Sequence, residues 1–454
     1  MHHDVVVIGT GQAAVPLATR MAAAGRRVAL IERQTLGGTC VNTGCTPTKT
    51  MVASARAAHV ARTAGRLGVR VDGVRVDFTA VIRRKRDIVR QWREGVERRI
   101  AEAGDRLTLT RGHARFVGPR EVSVDGNRST ADTIVINTGA RPVVPRLPGL
   151  DTVPWLDNAR LMELDTLPAH LLVIGGGYIG CEFGQMFRRF GSDVTIVDHN
   201  AHLLSREDLE VSGAIEEVFR NEGVALRLGA AATSVRCDGA RVGLTLASGE
   251  VLEGSHLLVA VGRQPNTDDL GCDAAGIGRN ERGAIRVDDR FRTTADGVFA
   301  VGDVTGGPQF THSAWDDHRI LFDILEGRDR SAANRIVPYT VFTDPAVARV
   351  GLSEREAAAK GIAFEKGELP FGHVARAIEV DEKAGVVKVL VDPETEHILG
   401  AAIVGLDAGE LIHIFVALMN AGATAASLVR AQIVHPTLAE GAQSALMRIG
   451  RYAL

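Results

Sequence analysis

The sequence predicts an α/β chain in which one strand–turn–helix–strand unit is used twice, followed by a segment of shorter strands and helices. Three observations carry this. The apolar run Asp4–Ile8 leads into Gly9-Thr10-Gly11-Gln12-Ala13-Ala14, then a helical stretch to Ala24, then Val28–Ile31 ending on Glu32. The same order returns at Leu171–Ile174, Gly175-Gly176-Gly177-Tyr178-Ile179-Gly180, Cys181–Phe190 and Val194–Val197, ending on Asp198. The same 23 residues separate Gly9 from Glu32 and Gly175 from Asp198. From Val337 onward the apolar runs shorten, which predicts a closing α+β segment.

Each unit has a physical reading. A glycine turn between a strand and a helix brings backbone N–H groups onto a pyrophosphate at the helix N-terminus, and an acid at the end of the next strand accepts ribose hydroxyls. Gly9, Gly11, Ala14 and Glu32 form the first such set, and Gly175, Gly177, Gly180 and Asp198 the second. Two units imply two dinucleotides, one held permanently and one exchanging. Asp198 repels a 2′-phosphate, so NADH is expected over NADPH, although His199 and His202 beside it can carry positive charge.

Composition sets the outer bounds. The 454 residues are 45% apolar and 24% charged with a formal net charge of −2, enough chain for about three domains. That balance offers no attraction to nucleic acid or to a membrane surface, and 4% aromatic content provides no stacking platform for single strands. The chain enters a strand at once, without the order of segments that marks a signal peptide, and no apolar run reaches a membrane span. Five cysteines are too few and too odd for a secreted disulfide scaffold, so a cytoplasmic location is expected.

Between the two units, residues 51–104 read as helical with an interruption around Gly65–Gly73. Arg83-Arg84-Lys85-Arg86 and Arg98-Arg99 make this stretch basic, while Ile82, Ile88, Val89, Trp92, Val96 and Ile100 recur at roughly helical spacing. An amphipathic surface helix accounts for both features. Thr133–Ile136 is read as a strand, and Pro142, Pro145, Pro148 and Pro154 mark a domain boundary. Thr311–Leu325 is read as a helix.

The chemistry lies at Gly37-Gly38-Thr39-Cys40-Val41-Asn42-Thr43-Gly44-Cys45-Thr46-Pro47-Thr48-Lys49. Pro47 reads as the opening of a helix, which leaves Cys40 and Cys45 about a turn apart, and a helix N-terminus stabilises a thiolate. A redox pair follows, with two buried unpaired thiols or a zinc site as alternatives; zinc needs further ligands at ligand spacing, and no second cysteine pair exists.

This motif resembles the redox-active segment of the class I pyridine nucleotide-disulfide oxidoreductases, FAD flavoproteins that include lipoamide dehydrogenase, glutathione reductase, mercuric reductase and the copper reductase of reactive-chlorine resistance. The likeness extends to Asn137-Thr138-Gly139-Ala140-Arg141-Pro142, to Val259–Asn266, to Thr294–Asp303, to Pro338–Pro345 and to His435-Pro436-Thr437-Leu438-Ala439-Glu440. It implies two Rossmann-like dinucleotide-binding domains plus a C-terminal α+β dimerisation domain. The expected division is residues 1–150 and 266–336 for FAD, 151–265 for NAD(P)H and 337–454 for dimerisation.

The resemblance also implies roles. Cys45 faces the flavin as the charge-transfer thiolate, and Cys40 is the interchange thiol that meets substrate. His435 and Glu440 form an acid–base dyad supplied by the other subunit of an obligate homodimer. Lys49 and Glu182 match an ion pair near flavin N5, and Tyr178 the aromatic gate on the nicotinamide side. Gly38, Thr39, Lys49, Thr138, Gly139, Gly302 and Asp303 join Gly9, Gly11, Ala14 and Glu32 around FAD, with Asp303 on the ribityl chain. Gly262 joins the NAD(P)H set. The N-terminus of Thr311–Leu325 faces the flavin pyrimidine edge. Cys181, Cys237 and Cys272 are bystanders, and no metal site is expected.

Electrons are thus expected to pass from NAD(P)H through FAD to Cys40–Cys45 and on to a disulfide or a metal ion. Thr39–Thr50, Asn137–Pro142 and Gly302–Thr311 are closest to the copper-reducing and mercuric-reductase-like branch. Mercuric reductase carries a vicinal cysteine pair near its C-terminus, which Ser444–Leu454 lacks. Lipoamide dehydrogenase is the alternative, and a non-catalytic metal-binding or docking protein on the same fold is the alternative of another class.

Overall fold

Strand β1 (His2–Ile8) ends in a continuous apolar run, Val5–Ile8, because both of its faces are covered there. Val5 and Val7 point into a core shared with helix α1 (Ala14–Ala23), while Val6 and Ile8 point into a second core with Phe116, Val122 and Ile285. Each such side chain removed from water contributes about 1.5–3 kcal/mol. The next strand, β2 (Val28–Glu32), pairs with β1 in parallel, Val5 opposite Val28 and Ile8 opposite Ile31.

These elements belong to a computed structural model that describes residues 1–239 and 241–453. The chain forms two compact units assembled from segments distant in sequence. The first comprises Met1–Thr50, Ile82–Val143 and Gly262–Arg335. Its seven-stranded sheet runs Leu107–Arg111, β2, β1, Asn127–Ile136, Glu121–Val124, Ala114–Gly118, with Val298–Ala300 also pairing in parallel on Asn127–Ile136. The second unit comprises Met51–Val81, Val144–Val261 and Ile336–Leu454. Within it a four-stranded parallel sheet holds His170–Ile174 at its centre, and a separate five-stranded antiparallel sheet is built from residues 339–405. Helix Glu440–Leu446 lies so close to strand Glu365–Pro370 that a Cβ on Gly367 would sit 2.2 Å from the Ala445 carbonyl oxygen.

The mixed α/β architecture is the one expected. Thr311–Leu325 is helical as read, and the strand expected at Thr133–Ile136 begins earlier, at Asn127. The second glycine turn ends sooner than expected, since its helix starts at Tyr178 rather than Cys181. The redox segment splits into α2 (Gly38–Asn42) and α3 (Cys45–Thr63), so the second helix opens on Cys45 and Pro47 falls inside its first turn. The following helix, α4 (Phe78–Ala101), keeps most of the expected stripe, with Ile82, Val89 and Ile100 buried and Ile88 and Val96 half-buried, but not all of it. Trp92 is 57% exposed, whereas Lys85 is only 2% exposed. The inward positions are Ile82, Lys85, Val89, Arg93, Val96 and Ile100, spaced by three or four residues.

Candidate active site

The two glycine turns are built alike. Gly9 and Gly175 adopt φ of +102° and +112°, a region where a side chain is strained. A Cβ at Gly9 would stand 2.3 Å from the Asn137 carbonyl oxygen, and one at Gly175 would stand 2.4 Å from that of Ala260. Each acid closes back on its turn. Glu32 accepts the Thr10 N–H at 3.1 Å and the Gln34 N–H at 2.8 Å. Asp198 accepts the Gly176 N–H at 2.5 Å and the Asn200 N–H at 2.7 Å. The third small residue of the motif differs between them. A Cβ on Gly180 would meet the Gly175 oxygen at 1.8 Å, while Ala14 fits and donates its N–H to Asn137 Oδ1 at 3.3 Å. Gly177 has open space where a Cβ would be, and Tyr178, the first helical residue, is 41% exposed.

In the first unit the turn is stacked against the redox segment. A Cβ on Gly38 would lie 2.9 Å from Gly11 Cα, and the Gly37 N–H donates to Thr10 Oγ1 at 3.2 Å. Asn137, which sequence reasoning did not single out, is 7% exposed and joins three segments there. Its Oδ1 takes the Ala14 N–H, its Nδ2 donates to the Val301 oxygen at 2.8 Å, and a Cβ on Gly302 would press on that Nδ2 at 2.7 Å. Gly302 in turn donates its N–H to Asp317 Oδ2 at 2.8 Å. Thr138 Oγ1 donates to the Asn266 oxygen at 2.9 Å, and Gly139, at φ +68°, accepts the Asn266 N–H at 3.0 Å. Gly262 lies in this unit as well, at φ +128°, and accepts the Val143 N–H at 3.0 Å.

These residues fit a bound dinucleotide. Gly9 and Gly38 are pressed by backbone and Gly11 by the Asn137 amide oxygen, with no room for side chains, the form of a cradle for a pyrophosphate. The Asp303 carboxylate is half-buried and accepts no hydrogen bond within the protein among the described residues, so it is available to ligand hydroxyls. Burial pushes its pKa up, against the pull of the Arg263 guanidinium. Helix Thr311–Leu325 begins at Phe310 without a side-chain cap, which leaves N–H donors at its N-terminus.

Cys40 sits in the middle of α2 and Cys45 at the first position of α3, and neither forms a disulfide. Thr39, beside Cys40, bridges the break between the helices: its carbonyl accepts the Thr43 N–H at 2.9 Å, and a Cβ on Gly44 would lie 2.9 Å from the same oxygen. The two thiols are close enough to act on each other, and Cys45 Sγ lies 3.1 Å from Thr311 Oγ1. The Cys40 thiol is pushed up, by the Cys45 sulfur first and by its own burial second, while Thr311 and the Lys49 ammonium pull it down. Thr311 was expected only as a helix start; its hydroxyl is a direct neighbour of both sulfurs.

The remaining expected residues lie in the second unit. Glu182 is 3% exposed and its Oε1 accepts the Phe342 N–H at 2.8 Å. His435 is largely exposed, and its Nδ1 lies 2.9 Å from Glu440 Oε1. A carboxylate only accepts, so Nδ1 carries the proton and the neutral ring presents Nε2 as a base. Glu440 Oε2 takes the Thr437 N–H at 2.9 Å, and this bond, with the one from His435, holds the Glu440 carboxyl below its ordinary range. Among the described residues no group of three or more His, Cys, Asp or Glu side chains could hold a metal ion, and no helix is long and apolar enough to cross a membrane.

Residues 3–317 match the family described as pyridine nucleotide-disulphide oxidoreductase, and residues 337–446 match its dimerisation domain. The probable pyridine nucleotide-disulfide oxidoreductase RclA of Escherichia coli is 39% identical over 448 residues, covering 96% of this chain and 97% of that protein. A mercuric reductase of Bacillus cereus is 36% identical over 98% of this chain and 71% of its own length. A dihydrolipoyl dehydrogenase of Thermus scotoductus is 34% identical over 100% of this chain and 98% of that protein. The solved Cu(II) complex of the HOCl-induced flavoprotein disulfide reductase RclA superposes with a TM-score of 0.90 at 37% identity, covering 98% of this chain and 99% of that one. The chain therefore belongs to the pyridine nucleotide-disulphide oxidoreductases and is an FAD-dependent flavoprotein disulfide reductase whose C-terminal segment is the family's dimerisation domain.

Proposed function

We propose that this enzyme passes electrons from NADH to the Cys40–Cys45 pair and from there to a metal ion, copper(II) foremost. The observation that carries the reading is the adjacent Cys40 and Cys45 thiols beside the Thr311 hydroxyl, in a chain similar along nearly its whole length to a reductase solved as a Cu(II) complex. FAD supplies, when bound, a two-electron carrier between the nicotinamide and the thiols. The surrounding residues bind and orient. Gly9, Gly11, Ala14, Gly38, Thr39, Thr138, Gly139 and Gly302 cradle FAD by close backbone approach. Glu32 and Asp303 accept its hydroxyls, and Gly175, Gly177, Gly180, Asp198 and Gly262 serve NADH. Tyr178, Lys49 and Glu182 keep the gating and charge-pairing roles that the family resemblance gives them. Cys40 is the thiol that meets substrate, and His435 with Glu440 moves its proton from the other protomer. The division at residues 1–150, 151–265, 266–336 and 337–454 is part of the same reading.

The intact dyad favours a second reading, reduction of a small disulfide such as lipoamide, because thiol–disulfide exchange needs a base that takes and returns a proton. A panel run with NADH separates the two: Cu²⁺, Hg²⁺, glutathione disulfide and, in reverse, dihydrolipoamide. Turnover with Cu²⁺ above that with every disulfide is expected; lipoamide as the fastest acceptor replaces the first reading with the second. Colourless protein, or yellow protein that NADH does not bleach, removes both in favour of a non-catalytic role. In the same assay kcat/KM for NADH should exceed that for NADPH by about tenfold or more, since an acid at the Asp198 position opposes a 2′-phosphate. An NADPH preference overturns that assignment.

Glu440→Gln tests the dyad. The Glu440 carboxyl is held below its ordinary range, so it is ionised throughout pH 5–8, and its contribution to stability is lost only as pH falls through that lowered value. The glutamine keeps the shape but not the charge that fixes the Nδ1 proton. Disulfide reduction should fall about 100-fold, with reduction of a metal ion affected less; equal activity in both assays would leave the dyad without a proton-transfer role.

A further inference from the structure

Arg93 occupies an inward position on α4, in the stripe that also holds Ile82, Val89 and Ile100. A cation turned toward a core is unfavourable unless it meets an acceptor. Arg93 meets one: Nε and Nη2 both donate to Asn42 Oδ1, at 3.1 and 2.8 Å. Asn42 Nδ2 in turn donates to the Leu36 and Gly38 carbonyl oxygens, each at 2.9 Å. Asn42 is the last residue of α2, two positions after Cys40 and three before Cys45. On the other side of the pair, Arg84 Nη1 donates to the Thr50 oxygen in α3 at 2.8 Å. One helix therefore grips the redox segment both before and after Cys45.

We propose that Arg93, acting through Asn42, is a positioning residue that holds the Cys40 and Cys45 sulfurs side by side and so favours their disulfide over the dithiol. The inference rests on the redox assignment of that pair. Closing an S–S bond fixes the link between two thiols, and a link already fixed by hydrogen bonds loses less freedom when it closes. Freed from Arg93, the end of α2 can swing away from α3, and the dithiol gains conformations that the disulfide cannot share.

The test equilibrates the FAD-loaded enzyme anaerobically with mixtures of reduced and oxidised dithiothreitol, then alkylates free thiols and weighs the protein. In the exchange the reagent's S–S bond breaks and the Cys40–Cys45 bond forms, with the two thiol hydrogens and two electrons passing to the reagent's sulfurs. Arg93→Ala should shift the midpoint toward dithiol about tenfold, a potential about 30 mV less negative. Arg93→Lys, which still offers a donor to Asn42 Oδ1, should recover at least half of the shift. Asn42→Ala should reproduce it, and the double variant should add nothing further, because the two residues act as one unit. If Arg93→Ala does not fold, Arg93→Lys and Asn42→Ala decide alone: both within twofold of the parent overturns the proposal, as do additive shifts. A parental pair that never exchanges with the reagent overturns the redox assignment itself, and the inference with it.

Discussion

Cys40→Ser enzyme is expected to retain bound FAD and NADH binding but to reduce its acceptor at about one thousandth of the parental rate or less. The reason is that a serine hydroxyl can neither form an S–S bond nor bind a soft metal ion as a thiolate, so the two-electron store is lost outright. Cys45→Ser should be as inactive, because each sulfur is the other's only cysteine neighbour in the α2–α3 link. The two differ in one respect. In the parent, the Cys40 thiol is pushed up first by the Cys45 sulfur and then by burial. Removing Cys45 removes the larger cause, so Cys40 in Cys45→Ser should alkylate at lower pH than Cys40 does in the parent. Steady-state rates with Cu²⁺ and with glutathione disulfide, together with thiol counts before and after NADH, measure both effects. Turnover above about a tenth of parental in either serine variant would mean that electrons reach the acceptor by another route.

Much of this arrangement was legible because it follows from local periodicity. The strand–glycine–helix–strand–acid order needs only neighbouring residues, and both copies fold in that order, although the helix of the second copy starts three residues earlier than read. That each acid closes on the second residue of its own turn was not read from the sequence. The pairing of His435 with Glu440 came from the family resemblance rather than from periodicity, and the two side chains do meet across one short turn. What was not legible is tertiary. Asn137 looks like an ordinary residue at a strand end until three segments converge on it. Asp317 lies mid-helix, and nothing in the sequence announces that it holds Gly302. The α4 stripe was read incompletely, and wrongly at Trp92, because hydrophobicity was used as the only mark of an inward face. Lys85 and Arg93 fall on the inward positions by spacing alone, and a count by position rather than by polarity points to them. Trp92, one residue off that stripe, is exposed for all its size.

In the second unit, Asp344→Asn is expected to lower stability by about 3–5 kcal/mol, the usual consequence of removing one member of a buried ion pair. Asp344 stands between two guanidinium groups. Arg189, only 5% exposed, pairs with its Oδ2 and with Glu222, whose carboxylate takes Nε at 2.9 Å and Nη2 at 2.6 Å. Arg56, on α3, donates to its Oδ1 at 2.5 Å and reaches Glu382 at 3.5 Å. Gln185 completes the group, accepting the Asp344 N–H at 2.8 Å and donating to its carbonyl at 2.7 Å. Asparagine preserves the backbone bonds and the volume, but its amide nitrogen must face a donor, and one positive charge is left without its partner. Burial alone would raise the Asp344 carboxyl, yet the Arg189 and Arg56 charges outweigh it and the net displacement is downward. A lowered carboxylate contributes its stability above the ordinary range and loses it as pH falls through the lowered value. The difference in denaturation midpoint between parent and Asp344→Asn should therefore be constant from about pH 5 to 8 and shrink below about pH 4. A difference that instead grows on acidification would mean that the carboxylate is a burden in the fold, tolerated for some other reason, and that Glu222 alone suffices to hold Arg189.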